Sequence, residues 1–456
     1  MPGLGVAATV VAALAGLLGV VAFSRVVKRE PDPFVKRVIV IGLFAKLAGT
    51  AVYYRVIADI YGSGDVTGYV RIGRSLAPII RSGSLPPEAR ETGTRFMEFL
   101  AGVSFAAFGP SEIIGYVVFS MLSFVGMLLF FFAFRMALPD GDHRRYAVLV
   151  LLLPTMLFWP STIGKEAWLV FTLGLASYGA ARVLRRRPMG YVIVSIAVAG
   201  MGAVRPHMSA LFAVSFAAAF LLRFRDKEAG RGAVGWMAGL VLLSFGTGFA
   251  LINFSDEMGR TEADEATPIT ERLRADTEEV FERTDRLTRT GGGEFEGRPV
   301  RGPVDLAHAL ITVPFRPFLF EAHNLQALIA AIESLALLAL FAVSIPRLVA
   351  LPKTALSKPY VALAVIYSLG FIVAFSNVSN FGILTRQRAQ LMPLLLVLLA
   401  LPAARQRRTE RSTKKAPVLH LHGGSPVHDG GLPRTDPDAA THRSEGPDTG
   451  RGGIDG

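Results

Sequence analysis

The sequence predicts an all-α polytopic membrane protein, and three observations carry that reading. Of its 456 residues 51% are hydrophobic, apolar runs recur along most of the chain, and the basic connections between them fall on alternate sides. Hydropathy gives about eleven segments of spanning or near-spanning length. These are residues 3–23, 38–58, 112–136, 146–160, 166–184, 189–204, 207–223, 232–254, 324–345, 360–376 and 387–403. With the amino terminus outside and the carboxyl terminus cytoplasmic, the basic stretches 24–37, 182–188, 223–231, 346–359 and the tail after 403 all face the cytoplasm, as in a multi-pass protein of the cytoplasmic membrane. The formal net charge of +12 is then a topology signal, which points to anionic membrane lipids and not to nucleic acid. The absence of cysteine excludes disulfides, thiolate metal ligands and thiol chemistry. The first run has no basic stretch before it and is followed by Arg25, Lys28 and Arg29, the pattern of a retained span.

Five stretches follow from this layout. Residues 1–37 form an extra span with its cytoplasmic loop, 38–254 a transmembrane core that includes an outer loop at 59–111, and 255–323 a long extracytoplasmic loop. Residues 324–403 form the last transmembrane helices, and 404–456 a cytoplasmic tail too poor in large apolar groups to offset the entropy of ordering. The loop 59–111 reads as an amphipathic helix around 69–80, a turn at 83–87 and a second helical stretch at 95–108, too short to span and too apolar to float free. In the second loop a charged helix candidate at 269–285 precedes a glycine run at 291–293 and an apolar return at 306–320.

Short spans, notably 146–160, 189–204 and 387–403, often stop partway beside a cavity. Outer ends of spans should be poor in cations, yet Lys165, Arg205, Arg316, Arg386 and Arg388 sit there, with Asp59, Asp65, Glu166, Glu321, His207 and His323 beside them. Charge kept near hydrocarbon without a topological reason marks a functional site by default, here one acting on something anionic. Asp59 and Asp65 flank glycines at the bundle mouth, where a carboxylate can take a proton from a hydroxyl or hold a divalent cation; both also suit a plain turn. Lys165 opens a helix against the dipole, which a bound anion explains and a snorkelling lysine in an aromatic belt also explains. Arg205 and His207 lie between two apolar segments with no room for a solvated loop, so they must face protein or a water-filled cavity. Arg316, Glu321 and His323 stand among aromatics and prolines as a rigid rim for a sugar or phosphate, or as an interfacial anchor with an internal Arg316–Glu321 pair. Arg386 and Arg388 diverge by about 200° around a helix and so serve different partners. No phosphate-cradling glycine loop, zinc-type His/Glu helix pair or serine elbow is present.

The order of these features resembles the GT-C class of polytopic glycosyltransferases and the related bacterial polysaccharide polymerases, including those of O-antigen type. The residues that carry the resemblance are Asp59, Asp65 and Tyr69 in the first loop, then Phe99-Leu100-Ala101-Gly102, Phe108-Gly109-Pro110-Ser111, and the closing Arg386-Gln387-Arg388 with Pro393. The resemblance implies that Asp65, or Asp59, is the general base that activates an acceptor hydroxyl. It further implies that Arg205, His207, Arg316 and Arg386 hold the phosphate of a polyprenyl-linked sugar donor, whose partner is a lipid-linked or glycan acceptor. The chain departs from the pattern in lacking an adjacent acidic pair, which leaves a divalent-cation cofactor open, and in its extra first span. The rival reading is a flippase for a lipid-linked saccharide, which needs the same cationic cavity, no base, and a polar path on the inner half, for which Glu333 is the main candidate.

Overall fold

The computed structural model describes residues 19–56, 65–223, 295, 297–323 and 325–402. Asp59, most of the first apolar run, the run at 232–254, the charged stretch 269–285, the glycines at 291–293 and the tail lie outside the described residues. Every described residue belongs to one unit, Met1–Arg408.

Helix α1 covers residues 19–29 and α2 covers Pro33–Val56. Asp32 sets the start of α2: its Oδ1 accepts from the Phe34 amide at 2.9 Å, and Pro33 brings a preset φ and no amide of its own to satisfy. Helix α3, Asp65–Arg81, buries Val66, Tyr69, Val70, Gly73, Leu76 and Ala77, the three- and four-residue spacing of an amphipathic helix. That face packs on α4, Thr94–Phe108, and Gly73 lies so near that a Cβ there would stand 2.8 Å from the Cβ of Ala101. The chain reverses between them at Gly83, φ 83°. Arg81 then closes the hairpin by donating to the carbonyls of Phe105 at 2.6 Å and Ala106 at 2.9 Å.

Helices α5, Glu112–Ala137, and α8, Lys165–Leu184, pack backbone to backbone through small residues, as helices in lipid do when no hydrophobic force drives them together. A Cβ on Gly126 would stand 2.4 Å from the Val170 carbonyl, and one on Gly174 2.3 Å from the Gly126 carbonyl. The run 146–160 is not one span. It is α6, His143–Leu152, and α7, Pro154–Phe158, because Pro154 has no amide to bond back with and forces Leu153 to extended geometry, ψ 126°. The break is filled from α2: the fully buried Lys46 donates to the carbonyls of Met156 at 2.8 Å and Pro160 at 3.1 Å. Around it runs a ladder of hydroxyls, Thr50 to Ser120 at 2.6 Å, Ser120 to Ser161 at 3.4 Å and Ser123 to the Pro160 carbonyl at 2.6 Å.

The chain continues through α9, Met189–Gly202, α10, Pro206–Arg223, α11, Pro303–Phe315, α12, Leu325–Val343, α13, Ile345–Leu348, α14, Leu351–Ser357, α15, Pro359–Ala374, and α16, Phe381–Leu399. Helix α16 is the central one, with nearly every residue from Leu384 onward buried. It starts earlier than the apolar run at 387–403, because the Asn380 side chain caps it by accepting from the Ile383 amide at 3.2 Å. Arg386 and Arg388 are therefore inside the helix. The described residues contain no strand, and three helices are long and apolar enough to cross a membrane: Glu112–Ala137, Lys165–Leu184 and Leu325–Val343. Four shorter apolar helices accompany them. The fold is thus all-helical and of membrane type.

Candidate functional site

Glu166 sits in the first turn of α8, Arg205 in the break before α10, Arg386 in the second turn of α16, and Asp65 at the first residue of α3. These four side chains meet. Arg205 Nη2 lies 3.3 Å from Glu166 Oε1, and Arg386 Nη2 lies 3.4 Å from the same oxygen and 3.7 Å from Asp65 Oδ2. Arg205 also donates through Nη1 to Gln387 Oε1, which accepts from Gln390 Nε2 at 2.7 Å as well. The site runs from solvent to interior: the Asp65 side chain is 69% exposed, Arg386 35%, Arg205 14% and Glu166 2%.

The chemistry follows from what converges. Two carboxylates and two guanidinium groups cancel formally, but α8, α10 and α16 all point their amino-terminal ends here, adding the positive pole of each dipole. Lys165, next to Glu166, adds a further positive charge that acts on His207. With Lys165 counted, formal positive charge exceeds negative at this end, Glu166 being the buried counter-ion and Asp65 the exposed one. Tyr69 lines this end one turn into α3, where burial first, and then the charges of Asp65 and Glu166, push its hydroxyl up to about 12. It therefore stays a neutral O–H group at any physiological pH.

Of the other residues singled out in sequence, His207 lies beside Arg205 and Lys165, and the rest lie elsewhere. His207 is half-buried in the first turn of α10 with its ring 6.3 Å from that of Phe375. Arg316 pairs with Glu321 at 3.0 Å and lies over the Phe295 ring at 4.5 Å, while His323 is exposed. The internal Arg316–Glu321 pair is therefore formed. Arg388 turns away from the cluster into the bundle, where Nη1 donates to the Pro314 carbonyl at 3.0 Å and to Ser334 Oγ at 2.7 Å. Glu333 accepts from the Thr155 amide at 3.0 Å and the Thr155 hydroxyl at 2.8 Å, capping α7 from a different helix. Among the described residues no three His, Asp or Glu side chains converge as metal ligands would.

Sequence reasoning assigned no role to Gln387, Gln390 or Lys46. The glutamines lie three apart on the face of α16 that also carries Arg386, the spacing that would have joined them. A lysine in the middle of the run 38–58 was itself the signal for Lys46.

The fold and the cluster define an all-helical protein of membrane type with a mixed-charge site where several helices begin. No family model, no curated protein and no solved structure matches the chain.

Proposed function

We propose that the chain is a GT-C-like glycosyltransferase or polymerase with about eleven spans in the cytoplasmic membrane. It transfers a sugar from a polyprenyl-phosphate-linked donor to a lipid-linked or glycan acceptor on the outer face, in cell-envelope polysaccharide or glycoconjugate synthesis. The observation that supports this best is the position of Asp65, an exposed carboxylate at the mouth beside the Arg386 guanidinium, which Glu166 links in turn to Arg205. In the proposed step Asp65 takes the acceptor hydroxyl proton as that oxygen bonds to the anomeric carbon. The bond from the anomeric carbon to the phosphate oxygen breaks, and Arg386 and Arg205 take up the charge that grows on the leaving phosphate. Tyr69, kept protonated, is a donor for a sugar hydroxyl.

The flippase reading draws on the ladder of Thr50, Ser120, Ser123 and Ser161 around Lys46, a polar track inside the bundle. One experiment separates the two. Cells that lack the gene are complemented with wild type, Asp65→Asn, Asp59→Asn or Arg205→Ala at equal expression, and their lipid-linked saccharides are profiled. An unextended lipid-linked intermediate that an aspartate variant fails to clear supports transfer. Complete saccharide held on the inner leaflet, with both aspartate variants rescuing, makes the protein a flippase.

A further inference from the structure

Arg388 is fully buried, yet only one of its three nitrogens is satisfied among the described residues. Nη1 holds Pro314 and Ser334, whereas Nε and Nη2 have no hydrogen-bond partner there. Those two nitrogens share one edge of the planar group, the edge that grips a carboxylate with two parallel bonds. Leaving such a pair of charged donors unmet inside a bundle costs several kcal/mol.

A carboxylate of the right kind stands nearby. Glu333 precedes Ser334 on α12, and its charge acts on Arg388. In the observed arrangement it is committed to the amide and hydroxyl of Thr155. Successive residues on a helix point about 100° apart, so a partial turn of α12 carries Glu333 into the place that Ser334 now holds at Nη1, next to the free edge. Ser334 loses little, because its hydroxyl already donates to the Ala330 carbonyl at 2.8 Å.

Helix α12 is built to allow this. Of its nineteen residues only Ala331, Glu333, Ser334 and Leu337 are buried. It also has unfilled space on both sides. One groove, about 410 Å³, lies against α6 and α7 between Leu149, Leu153, Pro154 and Ile332, and Glu333 opens onto it. The other, about 190 Å³, lies against Phe315, Phe318 and Phe320, and Ser334 opens onto it.

We infer that α12 is a two-position lateral gate, in which the Glu333 carboxylate exchanges between Thr155 and the free edge of Arg388. Three hydrogen bonds break, the two that Glu333 accepts from Thr155 and the one from Arg388 to Ser334, and two form, each between two charged groups and so individually stronger, which keeps the two positions close in energy. With Glu333 on Thr155, α12 is tied to the α6–α7 break. With Glu333 on Arg388 that tie is released, the groove at Leu149 and Leu153 widens, and a lipid chain gains a way in from the bilayer. The inference does not depend on which reaction the site performs.

The absence of cysteine makes the test clean. Spin labels are placed on Leu149→Cys and Ala336→Cys, one on each wall of the larger groove, and inter-label distances are measured by pulsed electron resonance in lipid nanodiscs. Two distance populations are expected in wild type. Thr155→Val, which deletes one donor to Glu333, shifts their ratio toward the longer distance by about tenfold, equivalent to ~1.4 kcal/mol. Glu333→Gln, which keeps the shape and weakens both positions, broadens the distribution. Arg388→Lys abolishes the longer population. A single distance that Thr155→Val leaves unchanged overturns the gate, as does a lipid headgroup found seated on the Arg388 edge with α12 unmoved.

Discussion

Arg386 uses a single nitrogen, Nη2, to face two carboxylates of opposite setting: Glu166 at 3.4 Å, almost wholly buried, and Asp65 at 3.7 Å, mostly in solvent. The two contacts differ greatly in consequence. Removing the charge of Glu166 leaves Arg205 and Arg386 facing one another without their shared counter-ion, and breaking a buried pair in this way costs about 3–5 kcal/mol. The contact to Asp65 is solvent-screened and is worth about 0–1 kcal/mol. Glu166→Gln should therefore lower the unfolding temperature in detergent by many degrees, while Asp65→Asn leaves it nearly unchanged. Thermal unfolding of the two purified variants checks this without any assay of activity.

The approach of α5 to α8 has no slack. Gly126→Ala or Gly174→Ala would bring a methyl group to 2.4 or 2.3 Å from a facing carbonyl oxygen, so the helices must separate. Overpacking of this kind costs about 1–3 kcal/mol. Because Glu166 rides on the first turn of α8, either variant should also weaken the proposed transfer more than its loss of stability accounts for. Activity measured well below each variant's melting point tests that.

Glu98 of α4 is held above its ordinary value of 4.5, chiefly by burial, with Arg95 lowering it and Glu88 and Glu91 raising it again. A raised acid means that the folded protein binds the proton more tightly than the unfolded chain. Stability then falls as pH rises from about 4.5 through the higher folded value. Glu98→Gln should remove that slope, gaining stability at neutral pH and gaining nothing below about pH 4. Melting temperatures of both proteins across that range decide it.

The extended segment at Phe295 is fastened through its ring and its amide. Phe295 stacks on Phe381 with centroids 4.5 Å apart and has the Arg316 guanidinium 4.5 Å from its ring centroid, while its amide donates to the Ser379 carbonyl at 2.9 Å. Phe295→Ala should free the segment, so that trypsin cuts after Arg301 several-fold faster than in wild type, the Arg298–Pro299 bond being resistant. An unchanged digestion rate would show that the Arg298–Asp305 pair at 2.8 Å holds the segment by itself.

The sequence exposed the cluster because charge at the end of an apolar run has a cost visible without a structure. Asp65, Glu166, Arg205 and Arg386 were each out of place, and the fold brings them together. Arg388 was out of place in the same way, and the helical repeat already sent it about 200° from Arg386, but nothing in a single chain says that Pro314 and Ser334 wait there. Hydropathy reads the run 146–160 as one span although Pro154 lies within it, and the lysine that fills the break precedes its acceptor Met156 by 110 residues. Pairings of that separation are decided by tertiary packing, and local pattern carries no trace of them.

Lys46 gives the protein an order of assembly. Its two acceptors, the carbonyls of Met156 and Pro160, lie 110 and 114 residues further along the chain. At ordinary synthesis rates α2 emerges roughly 5–20 s before either carbonyl exists. Throughout that interval the ammonium group lacks both of the carbonyls that satisfy it in the folded bundle. The buried seat of Lys46 on α2 is therefore completed only when α7 arrives, and the early part of the bundle closes from its later member backward.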